Sequence, residues 1–144
     1  MQGYYKDEVA TATAFMGGWF HSGDAAVVHP DGYVEIRDRF KDVIVSGGEN
    51  ISSIEVEGAL LRHAAILEVA VVGMPHEKWG ESPQAFVVLQ RGAAITEQEL
   101  LEYARGALAH FKVPTRFLFV GELPKTATGK VQKFKLREQA KLVA

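Results

Sequence analysis

Residues 66–72 limit the fold more than any other stretch of the chain. Six of the seven positions are apolar and only Glu68 interrupts them. A short, valine-rich, nearly continuous apolar run reads as a buried strand, because a buried helix would extend the pattern over ten or more residues. Residues 85–89 form a second such run, ended by Arg91 and Gly92, and residues 116–120 a third. Between the strands lie helix signals. Ser52 with Glu55, and Thr96 with Glu99, have the spacing of capping boxes, in which a hydroxyl and a carboxylate satisfy each other's backbone N–H groups. The first box opens a helix with Val56, Leu60 and Leu61 on one face. The second opens a helix with Leu100, Leu101, Ala104 and Leu108 on one face. Residues 133–142 read as a final amphipathic helix. Strands separated by helices and long connections predict a small α+β domain, with a central three-stranded sheet flanked by helices.

The amino-terminal part reads differently. Residues 1–20 are a loop with a short helical stretch over 7–15. Ala25, Val27 and Val28, then Pro30-Asp31-Gly32, then residues 33–36 predict a β-hairpin around a turn. Residues 38–42 form a charged break, which places a domain boundary there: 1–38 before it and 39–144 after it. Residues 43–45 are a short strand, 46–50 the loop after it, and 73–83 a long loop containing Trp79 and Gly80. The chain has 144 residues, enough for a real core, and no cysteine. That excludes a disulfide framework, a thiolate zinc site and a thiol nucleophile. No run approaches the roughly 20 apolar residues of a transmembrane helix, and the first residues lack a signal-peptide pattern. These absences are consistent with a cytoplasmic location.

The net charge of −2 hides an uneven distribution. From Arg105 onward the basic residues include Lys112, Arg116, Lys125, Lys130, Lys133 and Arg137, against only Glu122 and Glu138. A basic end on a mildly acidic protein suggests a polyanionic partner, and a solvated helix face is the plainer alternative. No helix-turn-helix, RNP-like or zinc-finger pattern supports nucleic acid. The five histidines have no metal-ligand spacing, so no metal site is assigned.

Four segments have the residue types of a binding site. Residues 124–130, ending in Gly129-Lys130, combine small hydroxyl residues, a glycine and a cation, a composition that lets backbone N–H groups approach an anion. They lack the spacing of a Walker A loop. Gly47-Gly48 permits close backbone approach to a ligand. Trp79 offers an indole face, and Asp24 offers a carboxylate that can accept two hydroxyl hydrogen bonds. Each also has an ordinary structural reading: a solvated turn, a strand-to-helix turn, a cap on the core, a turn aspartate.

The segments taken together are more specific. Residues 18–24, Gly18-Trp19-Phe20-His21-Ser22-Gly23-Asp24, resemble the Trp-Phe-x-Thr-Gly-Asp motif of the adenylate-forming acyl-CoA synthetase superfamily, with Ser22 in the threonine place. Residues 39–51 resemble that family's hinge and following loop, and residues 123–130 its carboxy-terminal lysine motif. The three stand in family order at family spacing, and the resemblance covers essentially the whole chain.

The resemblance implies a two-step reaction. A carboxylate, expected to be a fatty or other hydrophobic acid, attacks the α-phosphorus of ATP to give an acyl-adenylate and pyrophosphate. Coenzyme A then displaces AMP. Asp24 would hold the ribose hydroxyls, Arg39 would contact the nucleotide, and Lys130 would stabilise the charge developing during adenylation. Lys41 would be the hinge about which the small domain turns between two poses. In the second pose Gly47 and Gly48 would line the pantetheine path, with Trp79, Lys112 and Arg116 facing CoA. Val113 and Thr115 stand where some relatives have basic residues, and Lys112 and Arg116 are the available substitutes. The family's phosphate loop, adenine pocket, magnesium ligand and acyl pocket lie in a large amino-terminal domain. Residues 1–38 resemble the tail of that domain and 39–144 the mobile lid. The 144-residue chain alone is therefore expected to be inert, with Mg2+ bound by the large domain. Two other readings fit less well: an adenylation domain loading a carrier protein, and a stand-alone nucleotide- or CoA-binding module.

Overall fold

A computed structural model describes residues 7–18, 22, 24–39 and 42–143. The chain divides into two compact units, residues 1–41 and 42–144.

The first unit contains helix α1 (Glu8–Ala14) and strands β1 (Asp24–Val28) and β2 (Val34–Arg39). Asp7 caps α1 by accepting from Ala10 N at 2.9 Å. The expected hairpin is present, with β1 and β2 antiparallel. At its turn Asp31 Oδ1 accepts from Tyr33 N at 3.0 Å. Asp38 and Arg39, read from the sequence as part of a charged break, instead belong to β2, where Arg39 stands opposite Asp24.

The second unit runs β3 (Ile44–Ser46), β4 (Glu49–Ile51), α2 (Ser53–Leu61), β5 (Ile66–His76), β6 (Gly80–Leu89), α3 (Glu97–Ala107), β7 (Arg116–Phe119) and α4 (Lys133–Val143). The α+β class is as expected, but the sheet has five strands rather than three. Two local causes account for the difference. Gly47 and Gly48 both have positive φ, 59° and 83°. That is the requirement of a two-residue hairpin turn, so the chain reverses there and residues 49–51 pair with β3. Residues 73–83, read as a long loop, continue both long strands to the turn at 77–79. Pro75 is tolerated there because β5 is an edge strand. Val71 N points outward from that edge to Glu57 Oε1, at 2.9 Å, and Pro75 has the same parity.

Strand β6 is the centre of the sheet. It pairs antiparallel with β5 over its length, parallel with β7, and with β3 through Ser46 and Gly80. Alternate side chains go to opposite faces, so the apolar runs supply two cores. Helices α2 and α3 cover one face, with Val56, Leu60, Leu100 and Ala104 packed on Val71, Val87 and Ile44. Helix α4 covers the other, with Leu136 and Ala140 packed on Val72, Phe86 and Val88. Burial on both faces explains why these strands lack a polar alternation. Both halves of the capping box at α3 are formed: Glu99 N donates to Thr96 Oγ1, and Thr96 N to Glu99 Oε2.

Candidate functional site

Lys130 sits at the end of a tight, internally bonded loop. Lys125 and Val131 pair as an antiparallel bridge, Gln132 N donates to Pro124 O at 2.8 Å, and Thr126 N to Lys130 O at 2.8 Å. Gly129 takes φ of 87°, a conformation that favours glycine. Its N–H donates to Thr126 O at 2.9 Å, and Lys130 N donates to Thr126 Oγ1 at 3.2 Å. The N–H groups of Thr126, Gly129 and Lys130 are thus used inside the loop and do not cradle an anion. What the loop presents is the Lys130 side chain, exposed and without an ion pair among the described residues.

The uneven charge along the sequence is partly balanced in space. Lys112 donates to both carboxylate oxygens of Glu55, at 2.9 and 3.0 Å. Lys125 pairs with Glu68, Lys133 with Glu57, and Arg137 with Asp42. Every acid in these pairs lies earlier in the chain, which is why the tail reads as uncompensated. Of the two cations expected to face CoA, Lys112 is committed to α2, and Arg116 is half-buried on β7 opposite Gln84.

A cleft of about 400 Å³ opens beside the glycine hairpin, lined among others by Gly47, Trp79, Arg105, His110, Phe111 and Val113. Gly47 N donates to Trp79 O at 2.9 Å, and a Cβ on Gly47 would lie 3.1 Å from Trp79 Cε3. The glycine is therefore what lets the indole lie against this turn. The turn carrying Trp79 is fixed by His76, whose Nδ1 accepts from Lys78 N and Trp79 N, both at 3.2 Å. The His76 ring stacks on the indole with centroids 6.3 Å apart, and Lys78 Nζ lies 4.6 Å from its ring centre. Trp79 stays 44% exposed, so it is not the core cap of the ordinary reading. Gly47 and Trp79 thus come together; Gly48, Lys112 and Arg116 do not line the cleft. Arg105 and His110 were missed as lining residues. Arg105 is the first member of the basic run, and only the fold shows that it and His110 share a cleft with Trp79.

In the first unit the hairpin sets Asp24 opposite Arg39, with Arg39 Nε 3.6 Å from Asp24 Oδ1. Lys41, Trp19, Phe20, His21 and Gly23 lie outside the described residues. Among the described residues no three acidic or histidine side chains converge as metal ligands. No described helix is long and apolar enough to cross a membrane.

Comparison with known proteins supplies the lineage. Residues 55–130 match the family model described as AMP-binding enzyme C-terminal domain. The chain is 58% identical over 144 residues to a protein named probable CoA ligase CCL11 of Humulus lupulus, covering 98% of this chain and 26% of that one. It is 53% identical over 141 residues to the peroxisomal trans-cinnamate:CoA ligase of Petunia hybrida, covering 98% and 25%. Among solved structures, ATP-bound MatB of Rhodopseudomonas palustris superposes with a TM-score of 0.89 at 37% identity, covering 99% of this chain and 28% of that one. The chain thus spans about a quarter of the length of the curated relatives it matches. With more than half its residues inside the family model and its fold shared with an ATP-bound relative, this chain belongs to the family of AMP-binding enzyme C-terminal domains.

Proposed function

We propose that this chain works as the mobile lid of an AMP-forming acid–CoA ligase, with Lys130 as its adenylation residue. The observation that carries the reading is the Lys130 ammonium: exposed, unpaired among the described residues and held on an internally hydrogen-bonded loop, in a chain of this family. In the first step a substrate carboxylate oxygen attacks the α-phosphorus of ATP and pyrophosphate leaves. Negative charge then crowds the carboxylate and α-phosphate oxygens, and a preorganised cation between them lowers the barrier. In the second step the CoA sulfur attacks the acyl carbon, AMP leaves, and the thiol proton goes to solvent. Asp24 accepts from the ribose hydroxyls and Arg39 contacts the same nucleotide. Lys41 is the hinge between residues 1–38, the tail of a large domain, and the lid, 39–144.

The cleft suits the nucleotide end of CoA. Trp79 and Phe111 offer aromatic faces for a purine, and Arg105 supplies a cation beside them. Gly47 and Gly48 lie along the pantetheine arm. Lys112 and Arg116 contribute only if they leave their present positions. The acid is hydrophobic, with fatty acids in the range; the Petunia relative is named for trans-cinnamate. The compartment follows the whole protein's targeting, with the cytoplasm as the starting reading.

The test separates the half-reactions in the full-length protein. Lys130→Ala is expected to lower adenylate formation from acid and ATP by about 10²–10³. Thioester formation from pre-made acyl-adenylate and CoA should persist. Survival of both half-reactions would reduce Lys130 to a surface residue and end this reading.

A further inference from the structure

Lys133 is buried to an extent unusual for a lysine. Its ammonium donates to Ser53 Oγ at 2.8 Å and lies 2.8 Å from Glu57 Oε1, and the two charged side chains are only 15% and 18% exposed. The same Glu57 oxygen accepts from Val71 N, the outward N–H of β5. Lys133 belongs to α4 on one face of the sheet, and Ser53 and Glu57 to α2 on the other. The side chain therefore passes around the outer edge of β5 and clips the two layers together. Burying a pair of charges is a poor way to gain stability, and in some proteins such pairs instead fix one arrangement of the groups around them.

The residue fixed in place is close by. Lys130 stands three positions before Lys133, on the loop whose other leg carries Lys125, itself paired with Glu68 of β5. One leg of the hairpin is thus tied to β5 and the helix that continues the other leg is tied to α2, and the hairpin is closed by its own hydrogen bonds. We propose that Lys133, through Glu57 and Ser53, is a positioning residue that sets the hairpin presenting Lys130. Adenylate formation depends on it and thioester formation does not. The inference rests on the role given to Lys130 above.

The experiment uses the full-length protein and both half-reactions, with thermal melts alongside. Lys133→Met alone would strand the Glu57 carboxylate and could unfold the domain. The informative variant is Lys133→Met with Glu57→Gln, which removes both charges and keeps an acceptor for Val71 N–H. A small misplacement of a reacting group costs up to about 10²-fold, so adenylation should fall roughly 10- to 100-fold while thioester formation stays within about twofold. Lys133→Arg, which keeps the cation, should recover most of the rate. A double variant that loses both half-reactions equally, or neither, overturns the proposal. Lys130→Ala run in parallel separates the two failures. If it keeps adenylation, the functional reading falls and takes this inference with it. If it loses adenylation beside an active double variant, only the positioning role falls.

Discussion

At the scale of single residues, Gly47 and Gly48 look interchangeable in the sequence and are not so in the structure. Both have left-handed φ, so any L side chain is strained at either, by about 1–2 kcal/mol. Only at Gly47 does a Cβ also meet Trp79; at Gly48 the space is open. Gly47→Ala and Gly48→Ala should therefore both lower the melting temperature. Only the first should change the Trp79 emission, read on residues 1–144 in a Trp19→Phe background, where Trp79 is the sole indole. Identical spectra for the two variants would mean that the indole does not rest on the turn. If the cleft takes CoA as proposed, the same Gly47→Ala should raise the KM for CoA more than Gly48→Ala does.

At the scale of elements, the capping box on α3 links helix stability to pH. The Glu99 carboxyl is held below its ordinary value of 4.5, first by the hydrogen bond from Thr96 N–H, then by that from the Thr96 hydroxyl, with a smaller contribution from His63. A depressed carboxylate pKa adds stability that is present above the unfolded value and lost as pH falls through the folded one. Glu99→Gln should flatten the acid limb of a plot of melting temperature against pH below about 4.5, the carboxylate's ordinary range. Thr96→Ala should cost about 1 kcal/mol at neutral pH. Parallel wild-type and Glu99→Gln curves through the acid range would show that the box is not formed in solution. The box was legible in the sequence because its signal is local, a hydroxyl three residues before a carboxylate. The buried strands were legible for the same kind of reason. Strand β4 was not, since three residues with one buried side chain give no periodicity, and only the φ values at Gly47 and Gly48 create it. The ends of β5 and β6 were hidden by Pro75, which edge position and parity make harmless, and by Pro83, which falls between Gly80, where β3 meets β6, and Gln84, where the pairing with β7 starts. The site followed the same rule. Lys130 and Asp24 stand in contiguous motifs that the sequence displays, whereas Arg105 and His110 join Trp79 only through tertiary folding. The ion pair of Lys112 was hidden because its partner, Glu55, lies far back in the chain.

At the scale of the second unit, the sheet separates two cores that share no side chain. Val56 packs beneath α2 on one face, and Val88 packs beneath α4 on the other. Both are well buried, at 0% and 6% exposure. Truncating either to alanine removes two methylene equivalents and leaves a small cavity, a loss of about 2 kcal/mol each. Because the faces are separated by the sheet backbone, the two losses should add to within about 0.5 kcal/mol in chemical denaturation. A coupling of 1 kcal/mol or more by the same cycle would mean that β5 and β6 shift when either face loosens. That outcome bears on function as well. Lys133 reaches from the α4 face to the α2 face around β5, so a sheet that yields to one core would carry a disturbance beneath α2 to the hairpin holding Lys130. A rigid sheet confines it. Additive losses, together with an adenylation rate in Val56→Ala close to wild type, would assign the placement of Lys130 to the Lys133 clip rather than to the packing of the cores.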